Sequence, residues 1–368
     1  MAARKKLLRR RSIRSETPVS PMEVTKAAEA LAAPPAPARA PNPLPRSVWR
    51  GADGTVRRDL SPAELRRIVE TGDGLLWVDV ETTSRTQHAL LEHVFHFHPL
   101  AIEDTLNPVS RVKVEEYPGY LFLVIRAVSF CEETADPYDL ETANVCHFLG
   151  KNYLVTVRNE RAPAVEMLAD RLSMHPEFLE RGPSWLLYVT ADAAVDSFFP
   201  ILDRVDEFID GLEERVFTAF DDASLHEIFS VKRLVLTLRR HLVPQREIFN
   251  VLTNRPTPLL APESQLYFRD VYDHVLRIND ALDMYRDLLG STLDSYLSQV
   301  SNRLGNVTKG LSIVATLSIP FVVVSGMWGM NFERVPLSHH PHGFMIMLVL
   351  QVLGGILLVL ILKWRKLL

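Results

Sequence analysis

Residues Ser325–Phe344 read SGMWGMNFERVPLSHHPHGF. To the left, no charged residue falls between Lys309 and Glu333, and GLSIVATLSIPFVVVSGMWGMNF fills that interval. To the right, GFMIMLVLQVLGGILLVLIL covers Gly343–Leu362, with Gln351 its one strongly polar side chain, before the basic end KWRKLL. A helix needs about 20 apolar residues to cross a hydrocarbon core. Two such runs in succession predict a transmembrane hairpin: a first span over 311–332, an outer loop over 333–342 and a second span over 343–362. Arg303 and Lys309 precede the first span, and Lys363, Arg365 and Lys366 lie in the tail 363–368, whereas the loop holds one Arg and no Lys. The positive-inside rule therefore places both termini and everything before the first span in the cytoplasm, with the protein in the cell (inner or plasma) membrane. One hairpin cannot enclose a polar path, so a pore requires several copies around an axis.

The chain has 368 residues, a net charge of −4 and two cysteines, Cys131 and Cys146. The cysteines share no CxxC spacing, which argues against a disulfide framework or a thiolate metal site. Near-neutral charge gives no case for a nucleic-acid partner. Residues 1–46 open on a basic cluster and become rich in Ala and Pro, with no apolar stretch of the kind a secretory signal carries. They are expected to form an extended, disordered tail. Residues 47–261 are expected to form an α/β and helical domain. Gly150–Lys151–Asn152 marks a turn between two apolar strand-like runs, and nine acids over residues 203–227 sit among apolar positions at helical spacing. No phosphate-binding GxxxxGK[ST] loop, HExxH or nucleophile motif is present. No enzyme and no resident cofactor are expected.

From Pro262 to Phe332 the one internal proline is Pro320. A single helix of that extent is about 100 Å long at 1.5 Å per residue. It divides into a cytoplasmic stalk, 262–310, and the first span, where Pro320 should introduce a kink. Leu293, Leu297, Val300, Leu304, Val307 and Leu311 form a heptad seam. One position over, Asp294, Ser298, Ser301, Gly305, Thr308, Ser312 and Ala315 keep the same spacing and are small or polar; extended, the stripe reaches Ile319, Val322, Gly326 and Gly329. Close helix packing and a pore wall both explain small residues. Packing alone leaves Asp294 and Asn331, at the two ends, without a reason. The pore reading makes Ile319 and Val322 a hydrophobic constriction that gates by dewetting.

The motif Trp328–Glu333, WGMNFE, resembles the GMN signature of the CorA family of divalent-cation transporters, and it stands where that signature stands, at the end of the penultimate span. Further blocks resemble the family: FHFHPLAIEDTLNPVSRVKVEEYPGYLFLVIRAV (Phe95–Val128), HFLGKNYLVTVR (His147–Arg158), LRRHLVPQREIFNVL (Leu238–Leu252) and FRDVYDHVLRINDALDMYRDLL (Phe268–Leu289). The resemblance implies an α+β chain. An N-terminal cytoplasmic α/β domain feeds a long stalk helix that continues into the first of two C-terminal transmembrane helices, and the chain assembles as a homopentameric funnel. It also implies a Mg2+ channel, with Co2+ or Ni2+ as further cargo, Mg2+ serving as both substrate and regulatory ligand. Gly329, Met330 and Asn331 fall on the selectivity filter. Glu103 and Asp104 of one protomer and Asp270 of the next fall on the family's Mg2+-sensing acids.

The chemistry fits. Mg2+ sheds water reluctantly and keeps an octahedral shell, so an entrance for the hydrated ion needs neutral oxygens that accept from its waters. An Asn331 ring supplies amide oxygens without the trap a carboxylate ring would make. Gly329 should let the backbone turn and approach closely, and Met330 should pack. Inside, repulsion between acids across a subunit boundary is relieved by a bridging cation, which makes a closed, symmetric ring at high Mg2+. The sequence also departs from the family. Its outer loop reads RVPLSHHPHG, so a customary second acid is missing and Glu333 is the remaining carboxylate. Gly305 stands where an Asn is usual, and Thr308 and Val322 replace a customary Met and Thr. His339, His340 and His342 raise a Zn2+ alternative, because imidazole suits transition metals better than Mg2+. A membrane-anchored coiled-coil scaffold is the remaining alternative. His93, His96 and His98 are expected to be structural.

Overall fold

The structure is a computed structural model that describes residues 44–107, 110–131, 133–159, 162–218, 222–255, 257–330, 337 and 340–365. Nearly all of the N-terminal tail, Asn331, Glu333, His339 and the last three residues lie outside the described residues.

A seven-stranded sheet organises the head, in the order β2-β1-β3-β7-β6-β5-β4. Its strands are β1 (Arg46–Arg50), β2 (Val56–Arg58), β3 (Leu75–Glu81), β4 (Lys113–Tyr117), β5 (Tyr120–Phe130), β6 (Leu140–Gly150) and β7 (Tyr153–Arg158). Every neighbouring pair is antiparallel except β3 with β7. Side chains alternate faces along a strand. In β5, Leu121, Leu123, Ile125 and Ala127 enter one core, while Tyr120, Phe122 and Val124 enter the other. Both faces are buried, which is why β5 reads as a continuous apolar run rather than an alternating one. The Gly150–Asn152 turn joins β6 to β7, as the sequence predicts. A side chain at Gly150 would collide with the Tyr153 ring. The hairpin β4–β5 turns through Pro118 and Gly119, the latter at φ 89, the backbone a glycine adopts without strain.

Helices α1 (Pro62–Thr71), α2 (Arg85–His93) and α3 (Pro99–Leu106) cover one face around Leu65, Ile68, Leu91 and Phe97. Helices α4 (Pro163–Met174) and α5 (Pro183–Asp196) cover the other. Beyond them run α6 (Phe199–Thr218), α7 (Asp222–Asn254) and α8 (Pro262–Trp328), and α9 (Gly343–Trp364) ends the described fold. The head is thus an α/β domain, and the chain as a whole is α+β. His98 caps α3 through its ring nitrogen, and His93 is the last residue of α2.

The 67 residues of α8 run unbroken through Pro320. Its upper part buries Phe268, Val271, Val275, Ile278, Leu282, Tyr285, Leu289, Thr292 and Tyr296. These follow steps of three and four, the seam of helix-on-helix packing, against α6 and α7. Past Tyr296 the helix leaves the head and remains exposed until α9 reaches it. Among the described residues, three helical stretches are long and apolar enough to cross a membrane: Pro183–Phe217, α8 and α9. The first is mostly buried in the head core, whereas the apolar windows of α8 and α9 are almost entirely bare.

Candidate functional site

Two regions carry the predicted residues. The first is the lower half of α8. Ile313, Leu317, Phe321, Val324 and Trp328 are partly covered, and this is the face toward α9. There Gln351 Nε2 donates to Ser325 Oγ at 3.1 Å, and a side chain at Gly355 would meet the Phe321 ring at 2.6 Å. Successive residues of a helix are turned by about 100°. On that count Ser312, Ala315, Ile319, Val322 and Gly326 lie on the opposite face. All are exposed, as are Asp294, Ser301, Gly305 and Thr308 above them. The predicted heptad seam starts at Leu293, which packs partly against the head core, and is uncovered beyond it: Leu297, Leu304, Val307 and Leu311 are 54%, 65%, 64% and 73% exposed. Among the described residues, nothing covers the small, polar stripe or the seam from Leu297 on.

One local expectation changes. Gly329 takes φ −82 and ψ −2, an ordinary right-handed helical position, so backbone freedom is not what a glycine supplies there. Met330 is 52% exposed within the single chain, which leaves its expected packing open to other copies.

The second region lies on the head. Glu103 is exposed on α3; Asp104 accepts from Ser110 Oγ at 2.7 Å and pairs with Lys113 Nζ at 2.7 Å. Asp270 is exposed near the start of α8. Among the described residues no contact joins Asp270 to Glu103 or Asp104 within one chain. Exposed apolar side chains flank both groups, with Leu100 and Leu106 beside the α3 acids and Leu266 beside Asp270.

One turn beyond Asp270 lies a cluster that the sequence reading missed. His274 Nδ1 stands 3.0 Å from Asp196 Oδ1 and 3.8 Å from Asp192 Oδ1. The ligand atoms of all three residues lie within 4.8 Å of one another. Asp192 Oδ1 is buried without a hydrogen-bond donor. Burial first, then repulsion from Asp196, raises the Asp192 carboxyl to about 6; the neighbouring His274 opposes this and Asp270 adds to it. Two carboxylates and an imidazole converging on an unsatisfied oxygen can hold a divalent cation. The signal was legible as two i, i+4 pairs, Asp192 with Asp196 and Asp270 with His274, which place each pair on one helix face.

A folded head whose longest helix leaves it as a bare apolar rod, paired with a second bare apolar helix, is the plan of an integral membrane protein. Residues 72–366 match the family model described as CorA-like Mg2+ transporter protein. The chain therefore belongs to the CorA family of divalent-cation transporters, which are membrane transporters and not enzymes. It is 32% identical over 294 residues to the cobalt/magnesium transport protein CorA of Thermotoga maritima, covering 79% of this chain and 82% of that one. It is 22% identical over 296 residues to the zinc transport protein ZntB of Yersinia enterocolitica, covering 78% and 86%. In fold it resembles the complete CorA magnesium transporter of Methanocaldococcus jannaschii, with a TM-score of 0.75 at 21% identity over 87% of this chain and 97% of that one.

Proposed function

We propose that the protein is a passive, membrane-potential-driven Mg2+ uptake channel, with Co2+ and Ni2+ as further cargo. It works as a homopentamer in which α8 lines the pore and α9 packs outside it. The supporting observation is the division of α8 into two faces. The side toward α9 is apolar and partly covered, while the opposite side is small, polar and bare down to Ile319 and Val322. Around an axis, the polar face becomes the wall and the exposed seam becomes the contact between copies. A divalent ion crossing 100 mV gains about 4.6 kcal/mol, at roughly 2.3 per charge, so no ATP is needed. An Asn331 ring selects the hydrated ion, Ile319 and Val322 form the constriction, and Asp294 draws the leaving cation.

Cytoplasmic Mg2+ closes the channel by bridging Glu103 and Asp104 of one protomer to Asp270 of the next. The exposed leucines around both groups support this, because they give the two surfaces an apolar rim to bury together. Asp192, Asp196 and His274 form a second regulatory site beside the first. The deciding experiment is flux into proteoliposomes with a trapped indicator and an inside-negative potential, testing Mg2+ and Zn2+ in parallel. Mg2+ entry that rises with the potential supports the channel; a folded oligomer that passes no ion overturns it in favour of a membrane-anchored scaffold.

The zinc reading rests on the outer loop, where the rings of His340 and His342 are exposed with centroids 6.1 Å apart. Replacing His339, His340 and His342 together by alanine should leave Mg2+ flux within about twofold of wild type, since imidazole is a poor Mg2+ ligand. Loss of a Zn2+ flux larger than the Mg2+ flux would favour the zinc transporter.

The second regulatory site makes a stability prediction of its own. An acid whose pKa is higher in the fold than in the unfolded chain costs nothing below its unfolded value of 3.8, and its full penalty above about 6. Asp192→Asn should therefore stabilise the Mg2+-free protein at pH 7.5, by about 1 kcal/mol after allowance for solvent screening. The same change should reduce the rise in melting temperature that Mg2+ produces. A thermal melt with chelator and with Mg2+ reads both effects, and opposite signs are expected.

A further inference from the structure

Asp104 does not wait open for a cation. Oδ1 accepts from Ser110 Oγ and Oδ2 faces the Lys113 ammonium, each at 2.7 Å. Ser110 is fixed in turn, because its carbonyl accepts from Arg126 Nη2 at 2.8 Å and from Asn144 Nδ2 at 3.3 Å. Lys113 is fixed by its strand, where β4 pairs it with Val124, and its ammonium lies 5.6 Å from the Phe122 ring centroid. The same ammonium donates to Glu115 Oε1 at 2.8 Å. Glu103, one residue earlier, is exposed. The two neighbouring acids are therefore in different states: one is exposed with no ion pair among the described residues, and the other is already neutralised within its own protomer.

We propose that Lys113 is a built-in competitor for the regulatory cation site. It occupies Asp104 when cytoplasmic Mg2+ is low, and it sets the Mg2+ concentration at which the channel closes. The inference rests on the proposed sensing role of Asp104. Mg2+ needs lone pairs in an octahedral shell, and an ammonium on the same carboxylate blocks one and repels the dication. Glu115 supplies a place for the ammonium to stay once Asp104 is taken, so displacement does not strand a half-buried charge. The pair also quenches the charge of Asp104 in the Mg2+-free state. Repulsion across the subunit boundary then falls mainly to Glu103 and Asp270.

The test uses full-length protein in detergent and in proteoliposomes. The half-effective Mg2+ concentration is read from the rise in melting temperature and from closure of flux. A neighbouring opposite charge shifts a carboxylate's affinity for protons by one to three decades. Lys113→Met should accordingly lower the half-effective Mg2+ by about tenfold, while Lys113→Arg, which keeps the charge, stays near wild type. Lys113→Gln serves as a second neutral variant if the methionine does not fold, with the same shift expected. An unchanged or raised half-effective Mg2+ in the neutral variants overturns the competitor role, as does an equal shift in Lys113→Arg. Asp104→Asn separates this failure from that of the sensing role. If closure is lost in Asp104→Asn while Lys113→Met behaves as wild type, the sensing role stands and only the competitor is rejected. If Asp104→Asn closes normally, both are rejected.

Discussion

Asn331→Ala should lower Mg2+ influx by about a hundredfold while leaving the oligomer intact, a loss equal to about 2.7 kcal/mol of ion stabilisation. The estimate follows from what the entrance must do. A hydrogen bond to a charged group contributes roughly 1.5–3 kcal/mol, and the waters of hydrated Mg2+ behave as strongly polarised donors. Removing a whole ring of amide oxygens removes more than one such bond, so a hundredfold is a conservative figure. The helix leading to this position continues regularly to Trp328, and Gly329 N still donates to Ser325 O at 3.0 Å. Truncating a side chain beyond that end leaves the helix hydrogen bonds untouched. Size-exclusion chromatography should show the same oligomer as wild type. Asn331→Asp should give a different pattern, with divalent entry retained and passage slowed, because a carboxylate ring binds the ion more tightly than an amide ring. Unaltered Mg2+ flux in Asn331→Ala would remove the asparagine ring from the mechanism, whatever the family resemblance.

The parts of this protein that sequence reading reached are those written in local spacing. Nothing after Pro262 interrupts helical periodicity except Pro320, and α8 begins at Pro262. The β6–β7 turn was predicted from three residues. What escaped depends on residues far apart in the chain. Asp192 and Asp196 meet His274 only because α5 packs on α8. Lys113, at the start of β4, meets Asp104, near the end of α3, a contact that the spacing within neither element shows. A second run of heptad spacing, outside the predicted one, is the one the head covers. The seam from Phe268 to Tyr296 packs within the chain, and the seam from Leu297 to Leu311 is left exposed. Both have the same steps of three and four. Composition separates them no better, and only the positions of α6 and α7 decide which is covered. Hydropathy has a similar limit, since Pro183–Phe217 is apolar enough to span a membrane and instead forms part of the head core.

The largest stability effect is expected at the centre of the sheet, where its single parallel pair lies. β3 and β7 run in register with Asp79 opposite Thr156 and Glu81 opposite Arg158. Arg158 Nε donates to Asp79 Oδ2 at 3.1 Å, Arg158 Nη2 donates to Glu81 Oε1 at 2.7 Å, and Thr156 Oγ1 donates to Asp79 Oδ1 at 3.1 Å. The Asp79 side chain is 1% exposed, and burial pushes its carboxyl above the ordinary carboxylate range despite the guanidinium beside it. Desolvation therefore already outweighs the attraction, and the pair persists because each charge needs the other. Removing one partner of a buried pair costs about 3–5 kcal/mol, since the remaining charge is left without compensation. Arg158→Met should thus lower the apparent melting temperature of the full-length protein in detergent by about 10 °C, at roughly 2–4 °C per kcal/mol for a domain of this size. The loss should be larger at pH 8 than at pH 5. With the guanidinium gone, the folded pKa of Asp79 rises further above its unfolded value, so the penalty is absent at low pH and complete at high pH. Asp79→Asn on the Arg158→Met background should recover much of the stability, because a buried amide costs less than a buried charge. If the double variant melted no higher than Arg158→Met, the damage would lie in lost packing of the arginine stem rather than in the orphaned carboxylate.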